Sequence, residues 1–95
     1  MLQLRMVSML SISYFTASWC GPCRVFGPTL LAFAGQKGIV VEKIDVDSNS
    51  GFAASHDVMS IPTTIWYKDG KPVKTVVGAK SAGDLDKIVN ELESA

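Results

Sequence analysis

Trp19-Cys20-Gly21-Pro22-Cys23 holds the only two cysteines in the chain, three positions apart. An apolar run precedes it, Met9-Leu10-Ser11-Ile12-Ser13-Tyr14-Phe15-Thr16, and a helix-like run follows. A Cys-x-x-Cys at a strand-to-helix junction reads first as a dithiol redox site. If Cys20 ends the loop and Gly21-Pro22 open the helix, Cys20 stands at the helix N-terminus. Unpaired backbone N–H groups and the helix dipole there favour its thiolate. Cys23 lies one turn on, within reach of the Cys20 sulfur. Pro22 suits the first helical turn, where no N–H is needed. Two blander readings compete. A structural staple across so short a ring contributes only roughly 2 kcal/mol, and nothing else suggests a disulfide scaffold. Half a zinc site needs further ligands, and the chain offers one histidine and no matching cluster.

Composition sets limits around this stretch. Ninety-five residues make one domain, 1–95, able to bury roughly 60–65% of its unfolded surface. Nine basic and nine acidic residues cancel and are spread out. That balance argues against nucleic acid or an anionic membrane as the main partner. A hydrophobic content of 47% argues against disorder. No run reaches the roughly 20 apolar residues of a membrane span. Met1 to Phe15 faintly resembles a signal peptide, with Arg5 ahead of an apolar stretch. Cleavage near Ala17 would remove the strand that the cysteine site requires. The expectation is therefore an unprocessed, cytoplasmic monomer. In that compartment a lone cysteine pair is more often catalytic than structural.

Leu2, Leu4 and Met6 alternate with polar residues, which suits a short edge strand over 1–7. Residues 9–16 read as a central strand aimed at the cysteines. Residues 21–35 read as a helix that Pro28 kinks, because proline cannot donate to the carbonyl four residues back. Val25, Phe26, Leu30 and Phe33 are its expected buried side, and Gly35 and Gly38 its end. Residues 39–46 are rich in β-branched side chains and read as a buried strand. Strand, helix and strand in this order suggest a parallel crossover. Asp47-Ser48-Asn49 reads as a cap and turn before a short helix through Phe52, Ala53 and Ala54. Thr64-Ile65-Trp66-Tyr67 and Pro72 to Val77 flank the hairpin signal Asp69-Gly70. Ser81 and Asp84 have capping-box spacing. Leu85, Ile88, Val89 and Leu92 then form one apolar stripe. The elements add up to an α/β fold, a mixed four- to five-stranded sheet with helices on both faces. His56 reads as a surface residue, Trp66 as sheet core and Tyr67 as sheet surface. Met59 suits either an apolar docking rim or a packing gap.

With Trp before it and Gly-Pro between its cysteines, the pentapeptide resembles the thioredoxin active site. The resemblance runs from about residue 10 to the C-terminus. Pro28 matches the family's helix-kinking proline, Ile61-Pro62-Thr63 its cis-proline loop, Lys68-Asp69-Gly70 its hairpin, and Val77-Gly78-Ala79 its glycine turn. The resemblance implies a thioredoxin fold and dithiol–disulfide exchange, with a redox disulfide between Cys20 and Cys23. It implies a substrate surface made by Trp19, Gly21, Pro22, Ile61, Pro62 and Gly78. Pro62, cis in the family, would hold Ile61 so that its backbone pairs with a bound substrate strand.

Three departures stand out. Only about nine residues precede the central strand, fewer than is usual in the family. Tyr14 stands where thioredoxins bury an aspartate, six residues before the first cysteine, and Thr16 where an aromatic residue is common. Lys43 matches the lysine that normally pairs with that aspartate and is left here without it. Tyr14 and Lys43 are thus candidates for tuning the thiols.

The resulting reading is a protein-disulfide reductase. Cys20 attacks a substrate disulfide and Cys23 resolves the mixed disulfide. Its partners are disulfide-bearing proteins and a recycling enzyme of the thioredoxin-reductase type. No cofactor is expected in the chain itself. One rival is a glutaredoxin-like protein recycled by glutathione. Another is a non-enzymatic binding subunit built on the same fold.

Overall fold

The computed structural model describes residues 9–94. The edge strand expected over 1–7 lies outside the described residues. The elements are β1 (Leu10–Thr16), α1 (Gly21–Lys37), β2 (Val40–Asp45), α2 (Ser50–Ser55), β3 (Thr63–Lys68), β4 (Lys71–Val77) and α3 (Ala82–Ser94). Among the described residues they form a four-stranded mixed sheet in the order β2-β1-β3-β4. β1 runs parallel to β2, with Tyr14 opposite Lys43, and antiparallel to β3, with Ile12 opposite Trp66. The expected crossover is therefore present.

β1 is buried on both sides, and the alternation of a strand sorts its side chains. Leu10, Ile12 and Tyr14 join Trp66 of β3 in a core with Phe26, Leu30 and Phe33 of α1 and Leu85, Ile88, Val89 and Leu92 of α3. Phe15 faces the other way and packs with Ile44, Ile65 and Ala53 of α2. Two helices thus cover one face and one short helix the other. Trp66 is fully buried, and its indole N–H donates to Thr64 Oγ1 at 2.9 Å. Thr64 lies two residues back on the same face, so the one polar atom of that side chain is satisfied locally.

Several expectations need correction. α1 does not end at Gly35 but continues to Lys37, with Pro28 inside it, and Gly38, in the left-handed conformation, caps it. Val25 is exposed. The stripe of Phe26, Leu30, Phe33 and Ala34 already fills the inward face, and Val25 falls outside it. β2 is mostly exposed, with Ile44 its one buried residue. It is an outer strand of the described sheet, and β-branched residues suit such a strand as well as a buried one. The turn and the N-cap Asn49 fall where expected, but Asn49 makes no side-chain cap bond, and Asp45 braces the turn instead. Its Oδ1 accepts the N–H groups of Asp47 and Ser48 at 2.8 and 3.3 Å.

Other local signals are realised. Asp69 and Gly70 both have positive φ, as a two-residue hairpin turn demands. Ser81 Oγ accepts the Asp84 N–H, and an Asp84 carboxylate oxygen accepts the Ser81 N–H in return. α3 has no basic residue in its last turn. Lys68 reaches across from β3, its Nζ donating to the Leu92 carbonyl at 2.7 Å. That places a cation at the negative end of the helix.

Gly27 lies against Tyr14. A Cβ at Gly27 would stand 3.1 Å from the Tyr14 hydroxyl. Alanine is the better helix former by about 1 kcal/mol, but the contact opposes it. Gly27→Ala is therefore expected to be worth about 1 kcal/mol more in a Tyr14→Phe background than in the native one. Urea unfolding of the four-member cycle measures that coupling; simple additivity would show that the contact is relieved without cost.

Candidate active site

β1 ends at Thr16, and the chain turns at once, the Cys20 N–H donating to the Ala17 carbonyl at 3.1 Å. Cys20 is the N-cap of α1, with extended backbone dihedrals. Its sulfur accepts the Cys23 N–H at 3.2 Å. A sulfur here takes up one of the donors that a helix start leaves unpaired. Pro22 occupies the first turn, where its missing N–H costs nothing. Cys20 and Cys23 are joined as a disulfide, their Cα atoms 5.3 Å apart.

In the disulfide form neither cysteine is open to solvent. Cys20 is 3% exposed and Cys23 6%. Ala17 forms a small cluster with both cysteines, and Val46 and Ile61 pack against it. Access to the sulfur therefore depends on movement or reduction at this cover.

Around the disulfide the structure brings together most of the residues singled out in the sequence. Gly21 and Pro22 are exposed at the helix start, as is Trp19. The Ile61–Pro62 peptide bond is cis. The Pro62 carbonyl accepts the Gly78 N–H at 2.8 Å, which ties the glycine turn to the proline loop. Gly78 has φ +98, a conformation that side-chain-bearing residues rarely adopt. An apolar groove of about 440 Å³ runs beside Trp19 and Ile61 to Val58 and Met59. Met59 is 94% exposed, so it fills no packing gap.

A second cavity, about 290 Å³, opens behind the cysteines. Tyr14, Thr16, Cys20, Cys23, Arg24 and Lys43 are among its walls. Lys43, opposite Tyr14 on β2, is exposed. Tyr14 is buried, stands edge-on to Phe26 at 5.7 Å, and donates to the Cys23 carbonyl at 3.4 Å. His56 is half-buried, its ring 4.3 Å from that of Phe52, away from the cysteine cluster.

Asp47 was legible only as a turn residue, yet its Oδ2 accepts the Trp19 indole N–H at 2.8 Å. The two are far apart in sequence, and no local pattern links them. The bond ties the exposed Trp19 ring to the turn after β2. Asp47→Ala is expected to cost about 1 kcal/mol or less in stability. It should also lower the fluorescence anisotropy of Trp19, measured in a Trp66→Phe background; unchanged anisotropy would mean that packing alone holds the ring.

The family model described as Thioredoxin matches residues 3–91. A thioredoxin of Mycolicibacterium smegmatis is 49% identical over 75 residues, covering 75% of this chain and 67% of the relative. A thioredoxin of Mycobacterium tuberculosis is 47% identical over 73 residues, covering 75% of this chain and 63% of the relative. The chain thus spans about two thirds of the length of these mycobacterial relatives. Among solved structures, a mutant thioredoxin from Halobacterium salinarum superposes with a TM-score of 0.81. It is 33% identical, with 88% of this chain and 74% of that chain covered. No helix among the described residues is long and apolar enough to cross a membrane.

Proposed function

The chain belongs to the thioredoxin family and carries a cysteine pair consistent with a dithiol thiol–disulfide oxidoreductase; from that premise we propose that it reduces disulfides in protein substrates. The observation that carries this reading is the Cys20 sulfur at the start of α1, accepting the Cys23 N–H. The same donor stabilises a thiolate after reduction, and the thiolate is the nucleophile. Cys20 attacks one sulfur of a substrate disulfide, and the other leaves as a thiolate. Cys23 then attacks Cys20, the reduced substrate departs, and the Cys20–Cys23 disulfide remains.

Trp19, Gly21, Pro22, Ile61, Pro62 and Gly78 form the substrate surface in this reading. Two features support it. The Pro62 carbonyl is taken by Gly78. The Ile61 backbone takes part in none of the loop hydrogen bonds among the described residues, so it is free to pair with an extended substrate. The protein works as a monomer in a reducing compartment, the cytoplasm, where a separate enzyme of the thioredoxin-reductase type restores the dithiol.

The test is turnover of a protein disulfide by the whole chain. NADPH with thioredoxin reductase should sustain many cycles, and glutathione alone should not. Turnover with glutathione alone would favour glutaredoxin-like recycling. No turnover with either, and full biological activity in a double Cys→Ser variant, would favour a binding role.

A further inference from the structure

The cavity behind the cysteines has no carboxylate among its described walls. Its charged groups are Arg24 from α1 and Lys43 from β2; Thr16 and Ser18 contribute hydroxyls. From β3, Thr64 lies opposite Tyr14 and is uncharged. Among the described walls neither an acid nor a histidine is at hand to accept the Cys23 proton. The buried polar side chain in contact with Cys23 is Tyr14.

The Tyr14 hydroxyl is loosely engaged. Its acceptor is the Cys23 carbonyl at 3.4 Å, beyond the usual length of an O–H···O bond. The ring itself is fixed, edge-on to Phe26 and against the helix at Gly27, where no side chain intervenes. The hydroxyl proton is therefore only weakly committed to that carbonyl, and it can turn about the C–O bond while the ring stays in place. The cavity is also roomy enough for several waters, each needing roughly 10–15 Å³.

We propose that the Tyr14 hydroxyl donates a hydrogen bond to the Cys23 sulfur as that thiol ionises, and so sets the rate at which the mixed disulfide is resolved. The proposal rests on the reading of Cys23 as the resolving cysteine. The balance is simple. The Cys23 proton leaves through cavity water to solvent, and Tyr14 keeps its own. The Cys23 thiolate forms a bond to the Cys20 sulfur, the bond from Cys20 to substrate breaks, and the substrate sulfur leaves with the electron pair. Arg24 and Lys43, in the walls of the same cavity, favour the anion through space, and Tyr14 favours it through the proposed hydrogen bond.

The test uses the fully reduced chain and a small chromogenic aromatic disulfide. Attack by Cys20 releases one coloured thiolate, and resolution by Cys23 releases a second, so the two steps appear as two phases. In Tyr14→Phe the ratio of the second rate to the first should fall about tenfold at neutral pH, the scale of a one-unit rise in the Cys23 pKa. The ratio should recover above about pH 9, where an ordinary thiol ionises unaided. An unchanged ratio, or one lowered equally at every pH, overturns the proposal. A second variant carries 3-fluorotyrosine at position 14, nearly isosteric and a stronger donor. It should move the midpoint of the second phase to lower pH; no shift, or a shift upward, overturns the proposal. A native chain that shows only the first phase overturns the reading of Cys23, and this proposal with it.

Discussion

Cys20→Ser is expected to abolish disulfide reduction, while Cys23→Ser attacks once and stalls. Both cysteines are covered in the disulfide, so burial does not tell them apart. Their backbone environments do. Cys20 is the N-cap, and its sulfur receives an N–H from the first turn. Cys23 lies inside the helix, and its carbonyl faces Tyr14. A serine at position 20 offers a hydroxyl that is hardly ionised at neutral pH, even with the same donor. Turnover should fall about 10⁴-fold or more, the scale on which loss of a nucleophile acts. In Cys23→Ser the attack proceeds and the mixed disulfide persists. Mass spectrometry of each variant after incubation with a protein disulfide would show an adduct on the second and none on the first. The opposite pattern would exchange the two roles.

The largest effect on stability is expected at Trp66. It is fully buried between β1 and the two helices of its face, beside Ile12. Trp66→Ala removes more side chain than the core can refill, at a cost of about 3–5 kcal/mol. The native stability of a small domain is only about 5–15 kcal/mol, so the variant should sit near the edge of folding. Trp66→Phe keeps most of the apolar contact and loses the indole N–H to Thr64. Its expected cost is about 1–3 kcal/mol, mostly from the buried Thr64 oxygen left without a donor. Thermal unfolding followed by circular dichroism separates the two variants. Equal losses would mean that the indole bond, and not the ring, dominates.

Where chemistry is local, the sequence was readable. Cys20, Pro22 and Cys23 lie within one turn, and spacing alone placed them at a helix start. The Ser81–Asp84 box, the Asp69-Gly70 turn and the stripe from Leu85 to Leu92 are likewise short-range patterns, and each appears as read. What was missed depends on neighbours distant in sequence. Val25 looks apolar in a helix, but Phe26, Leu30 and Phe33 already occupy the inward face. Val40 and Val41 suit an outer strand as well as an inner one, and only sheet order decides. Asp47 finds Trp19, and Gly27 finds Tyr14, across distances that no periodicity reports.

The pairing of β1 with β3 bears on how the chain is made. Leu10 meets Lys68 at one end of that pairing, so the sheet cannot close until the second of these has left the ribosome. Cys20 and Cys23 emerge long before Ile61, which packs over them, and before Gly78, which holds the loop carrying it. Translation proceeds at about 5–20 residues per second, so the nascent chain presents an uncovered thiol pair for a matter of seconds. During that interval a neighbouring nascent thiol or an oxidant can reach either sulfur, and the site is safe from wrong partners only once the β3–β4 hairpin and the glycine turn after it have been synthesised and docked.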